Sequence, residues 1–224
     1  MQPYLFPYVG YFQLIQSVDK FIFFDNVNFK KKGWINRNFL RDQQGSFMFS
    51  MPLKKTSQNK LINQVYISDI SAFELSLLKK VSHNYSKSNY YEYVKDLLLD
   101  IFKKFDGQTT ADFNIFSTSR LANELGISTK FILSSDLSID PSCSGQEKIL
   151  SICNAVEADH YFNLPGGTDL YDNQAFAKKE IKLSFLNVNL FPYEQGHKDF
   201  IPGLSIIDYL CHCGPTTWIK NNEQ

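Results

Sequence analysis

The densest run of chemically useful side chains lies between Asp25 and Asn38, where the chain reads DNVNFKKKGWINRN. Asp25 can accept a proton or a sugar hydroxyl. Lys31, Lys32 and Arg37 can neutralise phosphate, Arg37 through a two-pronged guanidinium. Trp34 offers a flat face to a base or sugar ring, and Asn36 and Asn38 supply fixed amide donors and acceptors. The same mixture also fits a solvated basic turn with Trp34 as an apolar anchor, and residue types alone leave both readings open. A second cluster runs YEQGHKDFIP over residues 193–202, followed by Ser205 and Asp208. His197 stands there among Gln195, Gly196 and acids, and an imidazole titrates near working pH, which suits proton removal from an attacking amine. An exposed loop histidine without a role is the alternative. Ser205 and Asp208 also suit the start of a helix, with Asp208 near its positive end.

Three further stretches carry weaker signals. In QPYLFPYVGYF, residues 2–12, two prolines fix the backbone and Gly10 allows close approach where a helix begins. Gln2, Tyr4, Gly10 and Tyr11 are candidates to line a ligand there, since a helix N-terminus suits an anion. The arrangement resembles the HxGH turn of nucleotidylyltransferase-type folds, with Tyr8 and Tyr11 in both histidine positions, so imidazole chemistry on an ATP phosphate is not expected. Gly166, Gly167 and Tyr171 lie in a PGGTDLY loop that can turn backbone amides toward a phosphate or sugar, or simply turn. Cys211-His212-Cys213 cannot place both thiolates on one helix face and no second ligand pair completes a zinc set, so no metal is expected. Cys143, beside Ser144 and Gly145, is either a thiol nucleophile or an incidental cysteine.

Composition bounds what these residues can serve. Lys+Arg and Asp+Glu number 23 each, which disfavours a general DNA or RNA binder while allowing a local basic loop. Hydrophobic residues make up 43% of the 224, enough for a core, and the longest apolar runs fall far short of the ~20 that span a bilayer. Four cysteines are too few for a disulfide scaffold in a chain of this size, and the N-terminus lacks a basic leader pattern, so a reduced, cytoplasmic protein is expected. Twenty Phe and 12 Tyr supply core filling and rings with a polar handle.

The elements that must position the candidates follow from periodicity. A short helical pattern over residues 11–18 precedes the apolar run KFIFFD, and residues 47–53 and 61–67 look like further strands. Three helical stripes fill residues 71–126, the first capped by Ser71 and Glu74, the second ended by Gly107, the third running over residues 111–124. Strands are then expected at 129–134, 160–163 and 181–188, separated by a helix capped by Ser144 and Glu147, a short helix over 173–179, and a final helix over 204–213. Strands alternating with helices imply crossover connections. The expected fold is α/β in a single domain, a mostly parallel, Rossmann-like sheet flanked by helices, with 71–126 as a helical insertion. Ligands in such sheets gather at the carboxyl ends of the strands.

QPYLFPYVGYFQLI, the DNVNFKKKGWINRN loop and FPYEQGHKDFIPGLSIIDYL together resemble the WbqC-like family, over nearly the whole chain. Asn26 departs from that pattern, in which a second acid follows the first, so a carboxylate pair or a metal at this loop is not implied. The pattern also includes β-forming residues ahead of Gln2, where this sequence holds Met1. The resemblance implies a transferase of bacterial O-antigen or other surface-polysaccharide biosynthesis. It would place a glycine-like aminoacyl group on the amine of a nucleotide-linked amino sugar. Asp25 or His197 would act as base, and Gln2, Tyr4, Gly10, Tyr11, Lys31, Trp34, Asn36, Arg37, Asn38, Gly166, Gly167, Tyr171, Gln195, Ser205 and Asp208 would hold substrate. An aminoacyl carrier protein or aminoacyl-tRNA would be the donor, with no bound cofactor. The alternative is a non-catalytic nucleotide-sugar binder or scaffold. The segments around Trp34 and Gln195 are expected to fold together into a single polar pocket with the opening QPY turn at its rim.

Overall fold

Alternation of apolar runs with helical stripes produces an α/β chain, seen in a computed structural model that describes residues 1–57 and 59–222. Helix α1 (Val9–Gln16) is buried on nearly every side and leads into strand β1 (Lys20–Phe23). β2 (Arg37–Asp42) and β3 (Gly45–Ser50) form an antiparallel hairpin, with Gly45 taking the positive φ that the tight turn requires. Three helices follow, α2 (Ile70–Tyr85), α3 (Tyr91–Lys104) and α4 (Thr110–Glu124). β4 (Lys130–Leu133), α5 (Gly145–Ala155), β5 (His160–Asn163), α6 (Asn173–Ala177), β6 (Lys182–Phe185) and α7 (Ile206–Asn222) complete the order.

The sheet is divided into pairs. β1 pairs with β4 in parallel, Phe21 beside Phe131, and β5 pairs with β6 in parallel, Tyr161 beside Leu183. Among the described residues no hydrogen-bonded ladder joins the two parallel pairs, and the β2–β3 hairpin stands apart as a third sheet. Both parallel pairs arise from crossovers, as expected, yet they do not merge into one large sheet.

Local boundaries follow the best available acceptor. α2 starts at Ile70 because the Asp69 carboxylate accepts from the Ala72 N–H at 2.8 Å, so the expected Ser71/Glu74 cap is displaced two residues upstream. Thr109 and Asp112 cap α4 reciprocally. Ser144 precedes α5 without a side-chain capping bond. Residues 61–67 are not a strand: Ile62–Gln64 is a 3-10 turn, and its buried Ile62 and Val65 lie three apart, the period of that helix. α7 is interrupted after Cys213, the expected end of the final helix, and then continues to Asn222. Gly214, at φ 68, breaks α7 there, and a Cβ on it would meet the Tyr90 ring at 2.6 Å.

A main core runs through the described residues, with smaller clusters around Phe29 and Phe176. Phe6, Phe12, Phe23, Phe49, Phe113, Tyr209 and Trp218 are among its fully buried rings, joined mostly edge to face. α3 contributes Val94, Leu98 and Ile101, and places Glu92 in its first turn and Lys103 and Lys104 in its last, as the helix dipole favours. Buried Asn114 on α4 donates from Nδ2 to two carbonyls, Pro3 at 3.0 Å and Ile35 at 2.7 Å, so one amide ties the N-terminal segment to the basic loop. Asn114→Ala strands both carbonyls in the interior. It should lower stability by about 2–4 kcal/mol, seen as a lower urea midpoint with unchanged slope.

Candidate functional site

Asp25 follows β1 at its carboxyl end, where α/β sheets present ligand-binding loops. Its side chain is buried and enclosed by donors. Oδ1 accepts from the Ser134 hydroxyl at 2.9 Å and the Ser135 N–H at 3.0 Å, and Oδ2 accepts from Asn63 Nδ2 at 3.1 Å. Asn26 extends the cluster, hydrogen-bonded to Ser134 through its side chain. Its backbone carbonyl accepts from Lys148 Nζ of α5 at 3.2 Å. Asp25 therefore locks the end of β1 to the end of β4 and to the 3-10 turn.

From Asp25 onward the loop zips against residues 60–63 through backbone bonds, including Phe29 N–H to the Lys60 carbonyl at 2.8 Å and Ile62 N–H to the Val27 carbonyl at 2.9 Å. This folding brings two lysine pairs together. An open cleft of about 340 Å³ is lined by Lys31, Lys32 and Asn36 from the loop and by Leu53, Lys54, Lys55 and Thr56 from the segment after β3. Residues 28–68 hold eight lysines and arginines against one acid, Asp42. No ion pair among the described residues involves any of those lysines. Lys54 lies over the Tyr66 ring at 5.7 Å.

Arg37 does not face this cleft as a free cation. Its Nε donates to the Gly33 carbonyl at 3.2 Å and its terminal nitrogen to the Lys32 carbonyl, curling the loop back on itself. Lys32 takes a positive φ of 62° within that curl. Trp34 remains 46% exposed, its ring edge against Phe39, so the indole keeps an open surface. Asn36 donates to the Met51 carbonyl at 3.2 Å at the cleft wall.

The QPY turn does link the Trp34 and Gln195 segments, through bonds rather than around a cavity. Leu5 N–H donates to the Trp34 carbonyl at 3.0 Å; buried Asn38 donates to the Leu5 and Phe6 carbonyls; and the buried Ser205 hydroxyl donates to the Phe6 carbonyl at 2.8 Å. Arg41, on the same hairpin, donates to Gln195 Oε1 at 3.2 Å. Beneath this lies Asp208, fully buried, accepting from Tyr193 at 2.6 Å, Tyr85 at 2.7 Å and Gln195 at 3.1 Å. Burial, reinforced by the carboxylate, pushes both phenols well above their ordinary range. Asn38, Gln195, Ser205 and Asp208 are thus internal latches, and the single pocket expected between Trp34 and Gln195 is instead packed interior.

The remaining candidates divide the same way. Tyr11 is fully buried with its hydroxyl on the Gln2 carbonyl, and Tyr4 packs beside it. Gly10 is closed in, since a Cβ there would meet Tyr8 and Val188 at 2.5 Å, whereas Gly166 opens to solvent. Gly167 packs on Asn163, and Tyr171 on Tyr161 and Phe176. His197 is exposed. Cys143 is half-buried, 3.8 Å from the Ser151 hydroxyl. Among the described residues no group of three or more His, Cys, Asp or Glu could hold a metal ion, and no helix is long and apolar enough to cross a membrane.

Sequence reasoning missed Lys54 and Lys55 as cleft residues, and Asn63, Ser134 and Lys148 as partners of the Asp25 corner. The lysine pair carried a signal, a second basic doublet with no acid nearby. The others carried none, because their roles depend on contacts across 38 to 122 residues of sequence.

A model of the WbqC-like protein family matches residues 2–219. The chain is also similar to the uncharacterized protein Rv1507c of Mycobacterium tuberculosis, 26% identical over 210 residues that cover 93% of this chain and 90% of that protein. No solved structure matches.

His212 sits beside the Asp208 hub, its ring 5.7 Å from that of Tyr85. Burial holds its imidazole below the ordinary 6.5, a shift only partly opposed by Asp208 and Glu194. The unfolded chain therefore takes up this proton at a higher pH than the folded one, and stability falls as pH drops below about 6.5. In His212→Gln the fall in urea midpoint between about pH 7 and pH 5.5 should be shallower than in the parent.

Proposed function

The chain belongs to the WbqC-like protein family, and from that premise we propose a transferase of bacterial surface-glycan biosynthesis. It attaches a glycine-like aminoacyl group to the amine of a nucleotide-linked amino-deoxysugar. The observation that carries this reading is the lysine cleft, where Lys31, Lys32, Lys54 and Lys55 converge with Asn36 and no acid neutralises them. Such a cleft suits the diphosphate of a nucleotide sugar, and the open indole of Trp34 on the same loop suits its base or sugar ring. Arg37, tied to its own loop, shapes the cleft rather than gripping phosphate.

The reaction is acyl transfer. The sugar amine attacks the carbonyl carbon of an aminoacyl ester or thioester, a C–N bond forms, and the C–O or C–S bond breaks. The nitrogen loses one proton and the departing oxygen or sulfur leaves as an anion or takes one up. His197, exposed, is open to receive that proton, while Asp25, enclosed by three donors, holds the loop in place. An aminoacyl-tRNA or an aminoacyl carrier protein would supply the donor. The enclosure of Asp25 also favours a second reading, a nucleotide-sugar-binding protein without turnover.

Nucleotide-linked amino sugars should raise the melting temperature by mass action. Lys31→Ala with Lys54→Ala should weaken that binding by about tenfold, equivalent to ~1.4 kcal/mol, with a larger loss at low salt. Failure of dTDP- and UDP-linked amino sugars to bind at all would remove both readings. Incubation with amino sugar and glycyl donors, read by mass spectrometry, separates them: a product heavier by one glycyl group marks the transferase, and binding without mass gain marks the binder.

A further inference from the structure

Arg41 is a buried cation without an acid. It is 6% exposed, and no ion pair among the described residues includes it. Its Nη1 donates to Gln195 Oε1 at 3.2 Å, an oxygen that also accepts from the Ile201 N–H at 2.9 Å. Its Nε is buried and finds no acceptor among the described residues. The Asp208 carboxylate is linked to Arg41 only through neutral groups. Gln195 donates to that carboxylate, and so does the Tyr85 hydroxyl, which itself accepts from the Arg41 backbone N–H. A guanidinium taken out of water without a partner ion is costly.

Strand pairing places this cation on the outer face of the hairpin. Arg41 stands opposite Ser46 and Phe39 opposite Met48, and directly opposed residues share a face. Ser46 and Met48 are exposed, whereas Asn38 and Leu40, on the other face, are buried. Gln195 covers Arg41 from above, and the loop that follows it is thin. Residues 196–199 are exposed, and Gly196 and Gly203, at φ 71° and 74°, bound the loop. The Gln195 side chain closes it by bonding both backbone groups of Ile201. His212 lies under the same loop, since a Cβ on Gly196 would stand 3.8 Å from its ring. Burial lowers the His212 pKa, Asp208 and Glu194 oppose that shift, and His197 and Arg41 add to it.

We propose that Arg41 anchors a second anion site, separate from the lysine cleft, which takes one phosphate or carboxylate group beneath the 196–203 loop. Two oxygens of such a group match the parallel N–H bonds that Nε and a terminal nitrogen present side by side. The anion supplies the charge that Arg41 lacks, and the loop lifts at its two glycines to admit it. This site differs in kind from the cleft, where exposed lysines on flexible stems meet an anion as point charges. A bound anion also favours the protonated forms of His212 and His197, which share the corner. The inference stands on Arg41 and its cover, and does not depend on the lysine cleft or on the proposed transfer reaction.

The test titrates the His212 imidazole by NMR in sodium phosphate, sodium acetate and sodium chloride at matched ionic strength, its signal assigned by its loss in His212→Gln. Phosphate or acetate should raise the His212 pKa by about 0.5 and the melting temperature by about 2 °C, and chloride should do neither. The larger response identifies the source, phosphate esters or carboxylates. Lys31→Ala with Lys54→Ala should keep these responses, because those lysines belong to the cleft. Arg41→Lys keeps the charge but loses the fork, and should weaken binding about tenfold. Equal responses to the three salts would overturn the proposal. So would a response lost with the two lysines, or one retained in full by Arg41→Lys. Should Arg41→Lys not fold, the three salts on the parent chain and on the lysine variant still decide.

Discussion

Three buried side chains hold the carbonyls of the opening turn, and the rest of the molecule is arranged around that grip. Asn114 takes Pro3, Asn38 takes Leu5 and Phe6, and Ser205 takes Phe6 again. A segment with two prolines cannot satisfy its own carbonyls in a helix or ladder, and an unpaired buried carbonyl is costly. Each partner comes from a different region: α4, the hairpin and the approach to α7. The turn thereby fixes the mutual position of those regions. Phe6 is driven to a positive φ of 42°, a conformation that persists only where surrounding contacts over-determine it.

This grip explains why so many polar residues gather without making a cavity. Asn38, Gln195, Ser205 and Asp208 meet every demand of a binding site in type and proximity, yet their hydrogen-bonding capacity is turned inward. Satisfied buried networks fix one arrangement of the chain. Asp25 behaves likewise, joining two strand ends and a turn. What stays open is different in kind: lysines with flexible stems, one indole face and an exposed imidazole. Buried, hydrogen-bonded latches hold the loop, and the exposed lysines are left for the anion site proposed above.

The α/β pattern was legible because periodicity is local: the stripe Val94, Leu98, Ile101 and the apolar KFIF run declare a helix and a strand without reference to anything distant. Position 61–67 misled because Ile62, Val65 and Ile67 fit a strand by composition, whereas bonds from Ile62 and Asn63 to the distant loop draw the segment into a 3-10 turn. The division of the sheet was hidden for a related reason, since strand neighbours depend on which edge each crossover reaches. Arg37 shows the limit for the site. A guanidinium in a basic loop reads as a phosphate clamp, and only geometry reveals that the carbonyls of Lys32 and Gly33 occupy it. Lys31 and Asn36 both line the cleft, Lys31 as an exposed cation and Asn36 as a half-buried amide held on the Met51 carbonyl.

The segregation of charge onto residues 28–68 has a consequence beyond the cleft. Equal totals of acids and bases mean that the molecule as a whole exerts no monopole force. The basic excess of residues 28–68 is nevertheless balanced by an acidic excess over the rest of the chain, an uneven distribution that favours a permanent dipole. Within a screening length of an anionic body, that dipole exerts a torque which rotates the lysine-bearing side to the front before contact. An isoelectric protein can in this way select its orientation of approach, and rising ionic strength would slow productive encounter without altering the bound state.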